Sequence, residues 1–496
     1  MRTIGLVLVL FIYVGMLNFY GQEKSNYWIK AIGGPGQDYA PSFLQEENGY
    51  VIVGWFTIQQ SVKRENFPPE FREKQGFLKN KTGRIKVEGK KEERIEIRPE
   101  GKGLQDRDIF VIKTDRDANI IWAKTFGGPK RDEGFTVTKT DDNGYIVTGN
   151  TESFGNGKID AIVTKFNSNG EIEWATVIGG PDIDMGMGAV KSFDNKGYVL
   201  AGMTRSFPDG DIMIVKIDNN GKLITSKLLK INGSGNASAI SGTSDGGYIL
   251  GGQIIIPKRN HDILLVKLDK DLNLEWAKAI GTDGEEGMNW DGIRQTKDGG
   301  WIYASNVGPR MQDMQQTKEK SDFVAVKLKA NGDVEWAICM GEEFMDAGWT
   351  MNETTDGYIA GGVWSKQFSD RKEDMGDIIL TKIDKKGRVI WVRTIDGTGQ
   401  DLDEIEEIKE VSDGYVMSGV IGMGERNTDV LFAKVNRDGL IEGFRKIKTI
   451  NPIVKNLILF PLRISGEIID ISIKPVYLRN PESRSPKLKI KDVEGF

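Results

Sequence analysis

Two residue types that build most catalytic and metal sites are nearly absent: the 496-residue chain has one cysteine, Cys339, and one histidine, His261. A lone cysteine excludes an internal disulfide framework. A lone histidine excludes a multi-histidine metal centre and leaves Ser-His-Asp chemistry only to His261. Charge of one sign is not in excess either, since 67 Lys and Arg face 72 Asp and Glu for a formal net charge of -5. That balance lacks the basic footprint of a nucleic-acid binder, so no nucleic-acid partner is expected. No apolar run reaches the length of about 20 residues that a membrane helix needs.

The apolar run that does exist, Ile4 to Met16 behind Arg2, has the length and flank of a signal-peptide core. Residues 1–21 therefore read as an export signal, which predicts a secreted, periplasmic or cell-surface protein. Gly21 suits the cleavage site and Phe19 does not, so a retained N-terminal anchor is the alternative; otherwise the mature chain has no membrane span. No cysteine follows the run, which argues against a lipid anchor.

What the chain has is a repeat. The stretch Asp160 to Gly180 reads as an alternating strand, an Asn167-Ser168-Asn169-Gly170 turn, and a second strand carrying Trp174 before Gly179-Gly180. Gly-Tyr or Gly-Trp pairs at Gly49, Gly144, Gly197, Gly247, Gly300, Gly357 and Gly414 mark seven copies. Four strands fit in a unit, as at Gly134 to Thr140, Tyr145 to Asn150, Asp160 to Phe166 and Glu171 to Ile178, with no helical periodicity between them. The fold class is all-β: a seven-bladed β-propeller of four-stranded antiparallel blades over residues 22–450. A β-solenoid is the competing architecture, and its coils have shorter periods. Trp28 precedes the first complete unit while the last unit lacks its tryptophan strand, so the strand at Trp28 is expected to pair with Asp429 to Val435 and close the ring.

Two segments leave the repeat. Residues 58–107 form a basic insertion in the first blade, in which Arg84 to Arg98 alternates like a two-stranded arm. Residues 451–496 lack both repeat markers and read as a small C-terminal β appendage.

Candidate chemistry lies first at the blade crossings, which fall on the face of the disc beside the central channel. They supply Asp38, Asp132, Glu133, Asp182, Asp184, Glu285, Glu286, Asp346, Asp401 and Asp403. Pointing inward together, these acids could hold calcium; acting singly, each would cap its own strand. Tryptophans at 122, 174, 276, 336 and 391 recur once per blade, which suits packing between blades. Trp290, Trp349 and Trp364 stand outside that register and are candidates for a binding surface. The acid-rich turns Asp115 to Asn119 and Asp269 to Asn273 resemble the opening of a calcium loop but lack its glycine and distal glutamate, so hairpin turns account for them. Cys339 lies in a strand and reads as a small buried hydrophobe.

Laid out in order, W-x-K-x-x-G-G-x-x-x-D, D-G-G-Y-I-x-x-G and D-x-x-V-x-K-x-D-x-x-G-x-I-x-W resemble the propeller repeats of secreted bacterial and archaeal proteins from about Trp28 to Lys448. The resemblance implies the fold and no particular activity. Asp384 to Trp391 is similar to the tryptophan-docking motif of quinoprotein propellers, which concerns blade packing; a vicinal cysteine pair and an eighth blade are lacking. Ser244 to Tyr248 resembles the Asp-box of sialidase propellers, without an identifiable arginine cluster.

The functional expectation is an exported binding or scaffold module for a glycan or envelope protein. The alternative is a carbohydrate-active or calcium-dependent hydrolase using carboxylates near the channel. Low-specificity candidates for ligand contact are Asp38, Asp132, Asp184, Glu286, Trp290, Asp346, Trp349, Trp364 and Asp401, and no cofactor other than calcium is suggested.

Overall fold

The computed structural model describes residues 26–492 apart from 34–35, 58–106, 208–211, 232–233, 256–260, 282–284, 287–292, 309–320, 342–345, 366–375, 397–401, 423–427, 442–446, 451–452, 457–459, 465, 471–475 and 478–488. Seven four-stranded antiparallel blades make a β-propeller. The opening strand β1 (Trp28–Gly33) belongs to the last blade. Blade 1 is β2 (Tyr39–Glu46), β3 (Gly49–Thr57), β4 (Arg107–Asp115) and β5 (Ile120–Phe126). Blade 2 is β6 (Asp132–Lys139), β7 (Tyr145–Thr151), β8 (Asp160–Phe166) and β9 (Ile172–Ile178). Blade 3 is β10 (Asp184–Lys191), β11 (Gly197–Thr204), β12 (Ile212–Asp218) and β13 (Leu223–Ile231). Blade 4 is β14 (Ser234–Gly242), β15 (Tyr248–Ile255), β16 (His261–Leu268) and β17 (Leu274–Gly281). In blade 5 the inner position is divided between β18 (Glu285–Glu286) and β19 (Arg294–Gln295), followed by β20 (Trp301–Gly308), β21 (Asp322–Leu328) and β22 (Val334–Gly341). Blade 6 is β23 (Asp346–Glu353), β24 (Gly357–Trp364), β25 (Asp377–Asp384) and β26 (Val389–Ile395). Blade 7 is β27 (Glu404–Val411), β28 (Gly414–Gly422) and β29 (Thr428–Asn436), completed by β1.

The ring closes as the tryptophan count predicts. Trp28 pairs with Lys434 and Ile32 with Val430, so the two ends of the repeat share one sheet.

The motif residues are framework, and each has a physical reason. The lysine of V-x-K and the tryptophan of the next strand are cross-strand partners, as in Lys165 with Trp174 and Lys327 with Trp336. The lysine is buried in blades 2, 4, 5 and 6 and half-buried in blades 1, 3 and 7, and it turns back to the acid of its own blade's first hairpin; Lys327 Nζ lies 3.0 Å from Asp298 and Lys165 Nζ 2.8 Å from Asp142. That acid also accepts the N–H of the turn, 2.9 Å from Gly300 N in blade 5. The tryptophan packs on the last turn of the following blade, where Gly170 and Gly221 take φ near 77° and face Trp122 and Trp174. A side chain there would meet the indole and the left-handed backbone at once.

The acid-rich turns are Asx turns. Asp115 Oδ1 accepts the N–H of Asp117 at 2.9 Å and of Asn119 at 2.8 Å, and Asp269 repeats the pattern. Cys339 is buried between blades among Val324, Trp301 and Tyr303, as a small hydrophobe would be.

The tail is β and forms no eighth blade, and its strands are distributed rather than gathered in one place. β30 (Ile447–Ile450), β31 (Ile453–Asn456), β32 (Phe460–Ile464), β33 (Gly466–Asp470), β34 (Val476–Tyr477) and β35 (Lys489–Asp492) pair antiparallel with β26, β22, β17, β13, β9 and β1 in turn. The tail thus runs backwards round the rim, adding a fifth strand to blades 6, 5, 4, 3 and 2 and then to blade 7. Among the described residues only β5 of blade 1 has no such partner. Ile447 and Lys489 are 42 residues apart over six blade steps, about 7 residues or roughly 23 Å of extended chain per step. The proposed export signal and the arm at Arg84 to Arg98 lie outside the described residues.

Candidate functional site

The inner strands share a second device, a β-bulge near the crossing face. The ladder skips one residue between Gly134 and Thr136, Gly186 and Gly188, Ala237 and Ala239, Gly348 and Thr350, and Ile405 and Glu407; in blade 1 it skips two, between Tyr39 and Ser42. A bulge re-aims the side chain that falls out of the pairing. The released residues are Phe135, Met187, Ser238, Trp349 and Glu406, with Ala40 and Pro41 in blade 1. Blade 7 is unusual beyond its bulge, because β27 places Glu404, Glu406, Glu407 and Glu410 on one inner strand.

Around these glutamates blades 1, 2, 5, 6 and 7 bring their side chains together. Tyr39 donates its hydroxyl to Glu406 in a short hydrogen bond. Ser42 Oγ and Phe43 N donate to Glu407 at 2.9 and 2.6 Å. Arg294, from the far side of blade 6, reaches Glu407 at 3.2 Å, and Lys409 Nζ lies 2.6 Å from the same carboxylate. On the blade 1–2 side Glu133 takes a two-point contact from Arg131, at 2.7 and 3.0 Å, and a further hydrogen bond from Arg107. An aromatic surface joins the two groups. Tyr39 stacks on Trp55 with centroids 4.5 Å apart and planes 18° from parallel. Phe135 meets Trp55 edge-on at 5.8 Å, and Arg107 lies 5.6 Å over the Trp55 ring.

Electrostatics divides the glutamates. Burial pushes the Glu404 carboxyl up to about 7, against the pull of Trp349 and Tyr39. Burial acts upward on Glu407 too, but Lys409, Arg294 and the Phe43 N–H outweigh it and hold Glu407 below the usual carboxylate range. Tyr39 is raised well above the ordinary phenol value, first by burial and then by Glu406 and Glu404, so its hydroxyl keeps its proton and serves as a donor. The indole Nε1 of Trp349 is buried with no hydrogen bond of acceptable geometry, while lying close enough to Glu404 to favour its ionised form.

The residues expected from sequence fall into three groups. Asp38, Asp132, Asp184, Asp346 and Asp403 are buried and bind their own blades. Asp132 accepts Gly128 N and Ser153 Oγ, and Asp184 accepts Gly180 N and Ser206 Oγ. Asp38, Asp346 and Asp403 accept the N–H groups of Thr57, Ser365 and Gly422. Trp364 is buried in the core between blades 5 and 6. Glu286 is placed only by its backbone pairing with Val307, and Trp290 and Asp401 lie outside the described residues. Among the candidates whose side chains are described, Trp349 alone joins the glutamates of β27. His261 opens β16 opposite Ile255. Among the described residues no three His, Cys, Asp or Glu side chains converge as metal ligands.

Sequence reasoning missed Glu404, Glu406, Glu407, Arg294, Tyr39 and Trp55. The available signal was the segment Glu404 to Val411, where acids occupy a strand that other blades fill with small or apolar residues. No protein-family model matches the chain, and no curated protein is found to be similar to it.

Proposed function

We propose that the protein is an exported binding module that takes a glycan at the crossing-face mouth of the propeller. A rigid propeller is consistent with a binding or scaffold role. The observation that carries the glycan reading is the Tyr39–Trp55 stack set beside the glutamates of β27: flat apolar faces suit the C–H face of a sugar ring, and fixed carboxylate and arginine groups suit its hydroxyls. Arg294 and Lys409 close on Glu407 beneath that surface, so ligands would approach from the crossing face. No step of this reading needs a metal ion. The test is a binding screen of envelope polysaccharides against the chain from residue 22 onward and its Trp55→Ala variant. Binding that falls about tenfold or more in the variant supports the reading; a screen without binding, or binding indifferent to Trp55, overturns it.

One observation favours hydrolysis as a second reading. Glu404 near 7 and Glu407 held low form a pair of carboxyl groups pushed apart by their surroundings, the pattern of a general acid beside an ionised partner. Polysaccharide cleavage that disappears in Glu404→Gln while binding persists would establish it.

A further inference from the structure

Glu404 is 8% exposed on the inner strand β27. Trp349 of β23 and Tyr39 of β2 both favour its ionised form, and neither supplies a positive charge. The cations nearby are engaged elsewhere: Arg294 and Lys409 on Glu407, Arg107 and Arg131 on Glu133. Glu406, next but one on the same strand, receives the Tyr39 hydroxyl. Trp55 lies half-buried against the other face of the site, stacked on Tyr39. The buried Nε1 of Trp349 lies beside the same carboxyl and favours its ionised form. A buried carboxyl without its own cation, next to aromatic faces, is the chemistry that recognises an ammonium group.

We infer that the mouth is selective for a glycan bearing free amino groups, with the ammonium of one amino sugar seated between Glu404 and the Tyr39–Trp55 faces. The inference rests on the glycan-binding reading above and narrows it to one substrate class. A basic peptide carries the same charge, and the inner strands, paired on one side only, leave an edge toward the channel, so an oligolysine peptide is kept as an arm of the test. Discrete side chains around a flat aromatic surface suit a sugar ring better. Seating a cation beside Glu404 favours its ionised form, so binding releases a proton at pH values where that carboxyl is still protonated. The groups facing it during this titration are Tyr39, Trp349, Glu406 and Glu407, with Arg294 and Lys409 held by Glu407.

The test is calorimetric titration of the chain from residue 22 onward with a β-1,4-linked glucosamine hexamer and with its fully N-acetylated counterpart, between pH 5.5 and 7.5, in buffers of different ionisation enthalpy. The free-amine oligomer is expected to bind at least about tenfold tighter, with proton release at the acid end that disappears in Glu404→Gln. Equal affinity for the N-acetylated hexamer overturns the inference and leaves glycan binding standing. Failure of both hexamers, together with an empty glycan screen, removes the glycan reading itself. Capture of an oligolysine peptide but neither hexamer assigns the site to a basic peptide and also overturns the inference. Because the two hexamers are compared on the unaltered protein, the outcome does not depend on whether Glu404→Gln folds.

Discussion

At the scale of single residues the repeat is held by polar groups as much as by the apolar core. Lys327 is 1% exposed, and its ammonium meets Asp298, Glu335 and the Leu328 carbonyl. Truncation to alanine strands two carboxylates and opens a cavity. Those acids are half exposed, so the cost is expected at about 2–3 kcal/mol, below that of a fully buried pair. Lys327→Met, which keeps the stem, should lose distinctly less; equal denaturation midpoints for the two variants would show that the stem packing does nothing and that the lost charge carries the whole cost. The glycines allow a sharper comparison. A Cβ on Gly179 would stand 1.9 Å from Asp160 Oδ1, whereas one on Gly242 would meet nothing closer than 3.4 Å. Gly179→Ala is therefore expected to lower stability by about 2 kcal/mol or more, and Gly242→Ala to stay within about 0.5 kcal/mol of the parent in urea unfolding.

At the scale of elements the belt is the feature the sequence concealed. Its strands of two to five residues carry no repeat marker, and they contact the blades through backbone pairing that any side chain pattern permits. Blade strands were legible for the opposite reason: Asp-Gly turns, Gly-Tyr starts and the Lys–Trp pair are forced by local geometry and recur seven times or nearly so. The mouth was half legible. Trp349 stood out because it broke the tryptophan register, but Glu404 to Glu407 fell within an ordinary strand, and only the bulge between Ile405 and Glu407 gives them their aim. Without the belt, β26, β22, β17, β13 and β9 would present open edges, which pair readily with other chains. A chain ending at Ile441 should keep its blade fold while melting several degrees lower and associating as concentration rises. Scanning calorimetry and sedimentation check this; a monomeric truncation with an unchanged melting temperature would show the belt to be decoration.

At the scale of the whole molecule two sets of acids oppose each other, and the pH dependence of stability follows from their signs. Asp142, Asp245 and Asp298 are held at about 2. For Asp142 the Lys165 contact is the largest cause, while for Asp245 and Asp298 hydrogen bonds and their lysines outweigh an upward push from burial. Their contribution is present above the unfolded value of about 4 and is lost as pH falls toward 2, moderated by their exposure to solvent. Asp132 and Asp160 are pushed the other way by burial, to about 7 and about 6, and Glu404 joins them at about 7. An acid raised in the folded state stabilises most below its unfolded value, and that contribution is lost as pH rises through 6 to 7. Stability should therefore peak in the mildly acidic range and decline on both sides. Asp132→Asn removes one titration from the alkaline side only, while its amide oxygen can still accept the Gly128 N–H that the carboxylate accepts at 2.7 Å. The decline between pH 5 and 8 should then be shallower in Asp132→Asn than in the parent, with the acid limb unchanged, in urea midpoints measured across that range. Parallel curves would mean that water or a counter-ion already compensates the buried carboxylate, and would remove burial as the source of the alkaline limb.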